Sequence, residues 1–224
     1  MSSGVPKTEI DRIASLCDRR WDRHYTRAKL RSDPVYAAVV GEIGSSHLPV
    51  LDIGCGIGLL AHYLSACGCQ APVTGLDYDE RKIASAQRMA RAAGHSGLAF
   101  TPGDVRTGLP EFSGHVVVLD ILQFLTQAQQ DAVLSAAAAR VAPGGKLIIR
   151  TGLRDGSWRF GVTVLGDYLA KATLWMKAAP TCYPDAAQFH RVLGTAGMKV
   201  TLQPLWGRTP FNNFLVIATV SEAR

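Results

Sequence analysis

Residues 50–60 read Val-Leu-Asp-Ile-Gly-Cys-Gly-Ile-Gly-Leu-Leu, an apolar stretch that runs into three alternating glycines. A parallel strand that is buried on both faces gives a continuous apolar run of this kind. Glycine lets the backbone approach a ligand without a Cβ atom in the way. A helix that starts near Gly58 points its free N–H groups at the end of the strand. The stretch therefore predicts a strand over 50–53, a ligand-binding turn and a helix that ends near Gly68.

The spacing of the glycines separates two kinds of nucleotide-binding turn. A dinucleotide fingerprint has the pattern G-x-G-x-x-G, with the pyrophosphate at the helix N-terminus. Here Asp52 is followed by Gly54, Gly56 and Gly58 at every second position. A carboxylate at the strand end repels phosphate but suits a ligand that carries an ammonium group. The pattern argues against a nicotinamide cofactor, and a tight turn without a chemical role is the simpler alternative.

In this stretch the chain resembles the class I S-adenosylmethionine-dependent methyltransferases, whose first motif is an acidic residue followed by G-x-G-x-G. The resemblance covers residues 48–150 well and the final strands more loosely. It implies S-adenosylmethionine as the cofactor and no metal. It also implies a mostly parallel seven-stranded sheet whose last strand is antiparallel.

The length and composition fit one domain. The 224 residues are 47% hydrophobic and 19% charged, ordinary values for a globular α/β chain with its own core. No apolar run approaches the roughly 20 residues of a membrane span. The N-terminus lacks the apolar region of a secretory signal, and the five cysteines give no disulfide framework. We therefore expect a cytoplasmic protein.

The net charge of +6 raises the question of nucleic-acid binding. The basic residues are dispersed apart from a cluster over 19–31, so we expect no specific nucleic-acid partner. Cys67-Gly68-Cys69 lacks a second Cys or His pair at zinc-ligand spacing and is interpreted as a helix end.

Strand–helix alternation predicts a doubly wound α/β fold, a mostly parallel sheet with helices on both faces. The expected strands are 50–53, 73–76, 98–101, 115–119, 146–150, 199–203 and 213–220, the last two forming a hairpin. The expected helices are 8–20, 34 to 41 or 44, 58–68, 79–93, 126–142, 167–177 and 185–196.

A single domain, 1–224, is expected, with four parts. Residues 1–47 form an N-terminal helical cap and 48–150 the cofactor-binding core. Residues 151–184 form an insert or lid after the fifth strand, and 185–224 the C-terminal helix and β-hairpin.

The cofactor site is expected beyond the carboxyl ends of the first four strands, where ligands of such sheets bind. The resemblance implies that Asp77 accepts the ribose hydroxyls, Tyr78 packs beside the adenine and Asp104 accepts the adenine amine, with Asp120 nearest the methionine end. For each acid, a turn or helix-capping role is the alternative. The full implied set is Asp52, Gly54, Cys55, Gly56, Gly58, Asp77, Tyr78, Asp104, Val105, Asp120 and Ile121.

No general base is evident after the fourth strand. Small-molecule members of the family often carry His near the position of Gln123, and Gln is not a base near neutral pH. Alignment of acceptor, methyl and sulfur supplies much of the catalysis in such a transfer. His24, Tyr25 and Arg150 are the candidate catalytic residues; their alternatives are packing of the cap and a structural ion pair. Lys29 and Arg31 are read as surface or cap residues; the alternative is that one of them, or Arg20, binds a carboxylate.

The methyl acceptor is expected between 21–31 and 151–183. Both segments are rich in aromatic residues, which favours a small apolar or aromatic molecule. The segment Tyr25-x3-Lys-Leu-Arg-x-Asp-Pro and the aromatic insert also resemble small bacterial enzymes that modify aromatic or polyketide-type intermediates. A dimer interface is the alternative use of these side chains, so the chain is expected as a monomer or a homodimer. The aromatic set is Trp21, Tyr25, Trp158, Phe160, Tyr168, Trp175 and Tyr183.

Two other functions stay open. A nucleic-acid methyltransferase is opposed by the absence of an Asn/Asp-Pro-Pro-Tyr motif at residues 120–123. A non-catalytic protein that binds S-adenosylmethionine or a partner is opposed by Asp52, Asp77 and Asp104, which such a protein need not keep.

Overall fold

A computed structural model describes residues 5–172 and 182–220 of the chain. Its centre is a seven-stranded sheet with the strand order β3-β2-β1-β4-β5-β7-β6. Strands β1 to β5 are parallel, and β7 is antiparallel to both β5 and β6. The doubly wound, mostly parallel sheet and its final hairpin are thus confirmed. The strands are β1 Val50–Ile53, β2 Val73–Asp77, β3 Leu98–Pro102, β4 His115–Leu119, β5 Lys146–Gly152, β6 Met198–Pro204 and β7 Asn213–Val220.

The helices follow the strands as expected along most of the chain. Asp79 accepts the backbone N–H of Arg81 and caps α5, while Thr126 and Gln129 form a capping box at the start of α6. The helices are α1 Lys7–Ser15, α2 Arg20–Ser32, α3 Val35–Ile43, α4 Leu59–Ala66, α5 Glu80–Ala93, α6 Gln127–Ala138, α7 Trp158–Ala172 and α8 Ala186–Thr195, with a 3-10 turn over Leu122–Phe124.

Three helix predictions were wrong in extent. The helix expected over 126–142 ends at Ala138. The helix expected over 8–20 ends at Ser15, and residues 20–32 form a separate helix, α2, that was not predicted. Only Thr26 and Leu30 of α2 are buried, and seven of its thirteen residues are charged or His, so few apolar residues mark this helix in the sequence. The helix expected over 167–177 begins earlier, at Trp158, and positions 173–177 lie outside the described residues.

The sheet divides the core into two layers. Ile148 of β5 packs in the layer formed with α1, α3, α4 and α5, whereas its neighbours Leu147 and Ile149 pack on the opposite side with α6 and α8. Side chains alternate between the faces of a strand. Asp52 and Arg150 therefore point into the same layer as the N-terminal helices. The alternation of side chains along the strands therefore determines on which face of the sheet the polar residues of the site lie.

The N-terminal helices share a core with the sheet. Ile13, Leu30 and Tyr36 belong to the same hydrophobic cluster as Leu60 and Leu64 of α4. The helices within residues 5–47 are therefore packed on the same face of the sheet as α4. Their separate role as a cap, and that of 151–184 as a lid, stay predictions.

Gly58 illustrates how tightly the glycine turn joins the core. Its φ is +82°, and a Cβ atom there would lie 2.7 Å from Cζ of Phe100. Gly94, which ends α5, has a φ of +68°, but a Cβ atom there would have no neighbour within 4 Å. The two glycines share the left-handed backbone and differ in the space around it.

We predict that Gly58→Ala lowers the free energy of unfolding more than Gly94→Ala. Both variants carry the cost of a left-handed alanine, about 1–2 kcal/mol. Gly58→Ala adds an overlap with Phe100, and overpacking of a core costs about 1–3 kcal/mol. Urea unfolding of the two variants measures the difference. Equal losses of unfolding free energy in the two variants would show that the ring of Phe100 moves aside without an energetic cost.

Candidate functional site

Backbone hydrogen bonds to strand β2 fix the position of the glycine turn. The backbone N–H groups of Gly54 and Cys55 donate to the carbonyl oxygen of Leu76, at 2.7 and 3.0 Å. A Cβ atom at Gly54 would overlap the side chain of Ile121. A Cβ atom at Gly56, in contrast, would meet nothing within 4 Å. The turn therefore has open space at its second glycine, where a ligand can approach the backbone.

Two acidic side chains lie beside this turn. Asp52 is 2% exposed and Asp77 is 5% exposed. Burial, together with the nearby charge of Asp77, raises the pKa of Asp52 to about 7. Within residues 5–172 and 182–220, neither acid forms a salt bridge. A buried acid pair without a counter-cation favours a positively charged ligand.

Asp77 also orders the turn. Its Oδ2 accepts the backbone N–H of Gly56 and its Oδ1 accepts the backbone N–H of Asp79, both at 2.9 Å. Each carboxylate oxygen keeps a further lone pair for another donor. The next residue, Tyr78, is 58% exposed, so its ring is accessible. Burial raises the pKa of the Cys55 thiol, which makes this side chain an inert part of the turn.

Asp104 has a partner that the sequence analysis did not foresee. Its two carboxylate oxygens each lie 2.9 Å from Nε of Arg106, and Oδ1 also accepts the Arg106 backbone N–H. The side-chain hydrogen bonds from Arg106 lower the pKa of Asp104. An adenine amine at this carboxylate would share it with Arg106. Val105 turns the other way and packs against the core beneath the sheet.

Four charged side chains meet at the ends of β4 and β5, and we call them the charge cluster: Lys29, Asp33, Asp120 and Arg150. The guanidinium of Arg150 lies 2.7 Å from Oδ2 of Asp33 and 2.5 Å from Oδ2 of Asp120. Nζ of Lys29 lies 2.7 Å from the same oxygen of Asp33 and 3.9 Å from Oδ2 of Asp120. The cluster joins α2 and the residue after it to the carboxyl edge of the sheet.

The burial of Arg150 explains why carboxylates gather around it in the charge cluster. Arg150 is 6% exposed on the face of β5 that the N-terminal helices cover. A buried guanidinium needs counter-charges. Asp33 supplies one from the turn between α2 and α3, where its Oδ1 accepts the Val35 backbone N–H at 3.0 Å. Burial raises the pKa of Asp33, but Arg150 and Lys29 outweigh burial, so that the pKa is lowered.

Asp120 is held under strain. It follows β4 with a φ of +57°, a left-handed conformation that is uncommon outside glycine. Its backbone N–H donates to the carbonyl oxygen of Arg150 at 2.9 Å. Burial raises the pKa of Asp120 despite the opposing charges of Arg150 and Lys29. Strained residues of this kind cluster at functional sites.

One face of α2 borders an open cavity of about 430 Å³. The rings of Trp21 and Tyr25 stack along it, with centroids 5.7 Å apart and planes within 11°. Lys29 belongs both to this lining and to the charge cluster, so the cavity adjoins the end of β4. The described lining consists of Trp21, His24, Tyr25, Ala28, Lys29 and Ser32.

The three candidate catalytic residues thus fall in two places. His24 and Tyr25 line the α2 cavity, whereas Arg150 is in the charge cluster. Lys29, read from the sequence as a surface or cap residue, connects the two places. Asp33 was not among the predicted site residues. The available signal was Arg150 itself, because alternation along β5 puts a cation on a buried face that must find carboxylates.

The aromatic residues of the insert are dispersed. Trp158 is 66% exposed and stacks on the Arg159 guanidinium, 4.9 Å from the ring centroid. Phe160 packs edge-on against Tyr183, with centroids 5.2 Å apart. The side chains at 168, 175 and 176 lie outside the described part of the chain.

Two further expectations concern absent features. Residues 67–69 follow the end of α4, as predicted, and no group of three His, Cys, Asp or Glu side chains placed to hold a metal occurs in the part of the chain that the structure describes. Among the described helices, none has the length and apolar character needed to cross a bilayer.

Comparison with known proteins identifies the family of the chain. The family model described as a methyltransferase domain matches residues 50–145. A ubiquinone biosynthesis O-methyltransferase of Pseudomonas savastanoi pv. phaseolicola is 31% identical over 171 residues, which cover 75% of this chain and 72% of that protein. A protein with the same description from Xanthomonas euvesicatoria pv. vesicatoria is 27% identical over 175 residues, covering 76% of this chain and 71% of its own length.

Solved structures show the same fold. A magnesium protoporphyrin IX methyltransferase from Synechocystis PCC 6803 with bound SAH has a TM-score of 0.65 and 22% identity, covering 96% of this chain and 94% of that one. The pyocyanin biosynthetic protein PhzM has a TM-score of 0.67 and 17% identity, covering 94% of this chain and 61% of that one.

The chain therefore belongs to the class I S-adenosylmethionine-dependent methyltransferases. More particularly, it is a small-molecule methyltransferase whose cofactor is S-adenosylmethionine.

We predict that the ligand-free protein loses stability through Asp52 as the pH rises. The folded-state pKa of about 7 lies above the ordinary aspartate value of 3.8, so the folded state holds this proton more tightly than the unfolded state. The contribution of Asp52 is complete below about pH 4 and is lost between about pH 4 and 7, and amounts to roughly 4 kcal/mol.

Asp52→Asn removes this titration. The free energy of unfolding of the variant, relative to the wild type, should therefore rise between about pH 4 and pH 8. Chemical unfolding of both proteins across this range measures it. The difference between the proteins cancels His62, whose pKa is lowered to about 4 by burial and which acts in the opposite direction. A pH-independent difference would contradict the prediction.

Proposed function

We propose that S-adenosylmethionine binds across the glycine turn and that its methyl group meets a small apolar or aromatic acceptor held against α2. The observation that carries the cofactor part is the buried acid pair, Asp52 and Asp77, which lies beside an open glycine turn and has no cation facing it within the described residues. These groups fit a cationic amino-acid ligand that is attached to a ribose.

Each side of the cofactor has its own residues in this proposal. The remaining lone pairs of Asp77 accept the ribose hydroxyls, and Tyr78 covers the adenine. Asp104 receives the adenine amine together with Arg106, and Val105 supports that loop. Asp52, Asp120 and Ile121 border the methionine part. The glycine turn, from Gly54 through Cys55 and Gly56 to Gly58, lets the backbone approach.

The bound cofactor supplies a methyl group that is already activated by a sulfonium. The chain's own part is to align the acceptor with this methyl and to exclude water. Arg150 is buried and engaged with Asp33 and Asp120, so we propose it as a positioning residue that fixes the end of β4. Tyr25, and His24 beside it, stay candidates for contact with the acceptor.

The α2 cavity supports an aromatic acceptor. The stacked rings of Trp21 and Tyr25 offer a broad apolar wall, and the cavity adjoins Asp120 through Lys29. The names of the similar proteins, which concern ubiquinone and pyocyanin biosynthesis, point to ring compounds as well. An aromatic polyketide belongs to the same class of acceptor.

We predict that calorimetry detects binding of S-adenosylhomocysteine and none of NAD. Asp77→Asn should weaken the binding about 10- to 100-fold, since a hydrogen bond to a charged group contributes about 1.5–3 kcal/mol. Gly56→Ala should also weaken it, because the new methyl group occupies the open space of the turn. Gly94→Ala, a left-handed glycine far along α5, is the matched control and should bind normally.

No heat and no thermal shift with millimolar S-adenosylhomocysteine would refute the cofactor site. Equal affinities of the Gly56 and Gly94 variants would show that the ligand approaches elsewhere.

The acceptor is found by incubating candidate extracts with isotopically labelled S-adenosylmethionine and detecting labelled products by mass spectrometry. We predict that Tyr25→Ala lowers the yield of product at least about tenfold, because it removes half of the aromatic wall, while S-adenosylhomocysteine still binds. Tyr25→Phe keeps the ring and should retain most of the yield. Full activity of Tyr25→Ala would place the acceptor away from α2.

A further inference from the structure

Lys29 differs from the other three members of the charge cluster in its surroundings. Its side chain is 27% exposed and lines the α2 cavity, whereas that of Arg150 is 7% exposed. Lys29 lies one helical turn after Tyr25, so the ammonium group and the aromatic wall occupy the same face of α2. The cavity therefore combines a flat apolar surface with a cationic group near Asp120.

The hydrogen bonds of the ammonium group are incompletely used. Lys29 carries three N–H donors. Nζ of Lys29 lies 2.7 Å from Oδ2 of Asp33, within hydrogen-bond distance, whereas Oδ2 of Asp120 is 3.9 Å away. Arg150 already contacts both of these carboxylates. Donors of Lys29 thus remain for a group in the cavity.

The Lys29 side chain stays protonated at neutral pH. Burial lowers the pKa of Lys29, but the nearby charges of Asp120 and Asp33 outweigh burial, so the pKa is raised above its ordinary value. A side chain in this state does not act as a general base. It binds an anionic oxygen as a permanent cation.

We propose that Lys29 is a specificity-determining residue that binds a carboxylate group carried by an aromatic methyl acceptor. The ring of the acceptor lies against Trp21 and Tyr25, and its carboxylate reaches the ammonium group at the end of the cavity. Lys29 thereby fixes which edge of the ring faces the methyl group. This inference rests on the acceptor site proposed above and specifies the chemistry that the site selects.

The test uses 3,4-dihydroxybenzoate and its methyl ester, which share the ring and its hydroxyls while the ester replaces the carboxylate by an uncharged group. Calorimetry measures the affinity of each probe for the full-length protein saturated with S-adenosylhomocysteine. The wild type should bind the acid at least about tenfold more tightly than the ester, the effect expected of a charge-assisted hydrogen bond. Lys29→Met should abolish this preference and leave the affinity for the ester unchanged.

Two further variants separate a specific contact from general charge. Arg31→Met removes one positive charge from the same helix at an exposed position, where Arg31 pairs with Asp11. It should keep the preference for the acid. Lys29→Arg keeps the charge and should retain part of the preference, which also covers the case in which Lys29→Met fails to fold.

The outcomes distinguish this inference from the proposed function. Binding of S-adenosylhomocysteine reports on the cofactor site in every variant, independently of the probes. Equal affinity of the wild type for acid and ester would overturn the role of Lys29, as would a preference that survives in Lys29→Met. Failure of both probes to bind at millimolar concentration would also refute the proposed carboxylate site, while the cofactor assignment stands or falls on S-adenosylhomocysteine alone.

Discussion

The buried guanidinium of Arg150 constrains the arrangement of the whole cofactor edge. A cation on the inner face of β5 requires counter-charges in the layer above it, since an unpaired buried charge costs several kcal/mol. Asp120 supplies one from the end of the neighbouring strand, and Asp33 supplies the other from the turn between α2 and α3. The N-terminal helices are therefore tied to the sheet at the place where the chemistry occurs, and not only through apolar packing. Asp33 accepts from both Lys29 and Arg150 through the same oxygen, so it links helix and strand directly.

The acid pair at the glycine turn differs from Arg150, because among the described residues no cation neutralises its negative charge. Asp52 and Asp77 are buried close to each other, and their mutual repulsion and desolvation favour a protonated Asp52 near neutral pH. A cation that binds beside them relieves both costs. The ligand-free fold thus contains an unfavourable electrostatic energy at this turn. A cationic cofactor gains part of its affinity by reducing that energy. The charge cluster is balanced internally, with two cations and two carboxylates, and serves as a fixed frame.

Local patterns were sufficient to predict most of the fold. The apolar runs, the glycine turn, the Asp79 and Thr126 caps and the final hairpin each depend on neighbouring residues, and each was confirmed. Helix α2 was missed because its sequence is dominated by charged residues and its buried face holds little more than Thr26 and Leu30, while its aromatic residues border an open cavity. The acids after the strands could be located from the sequence, but their partners could not. Asp33 meets Arg150 across 117 positions of chain, and the pairing of Asp104 with Arg106 depends on how one loop folds back.

The contact between Gly54 and Ile121 has a mechanical consequence. Ile121 occupies the volume that a side chain at position 54 would fill, so the loop after β1 and the loop after β4 pack directly against each other. One loop borders the proposed cofactor site, and the other begins at the strained Asp120, next to the charge cluster. A side chain at position 54 could be accommodated only if Ile121 moved. Ile121 directly follows Asp120, whose carboxylate contacts Arg150, so this packing places the glycine turn in direct contact with the loop that carries part of the charge cluster.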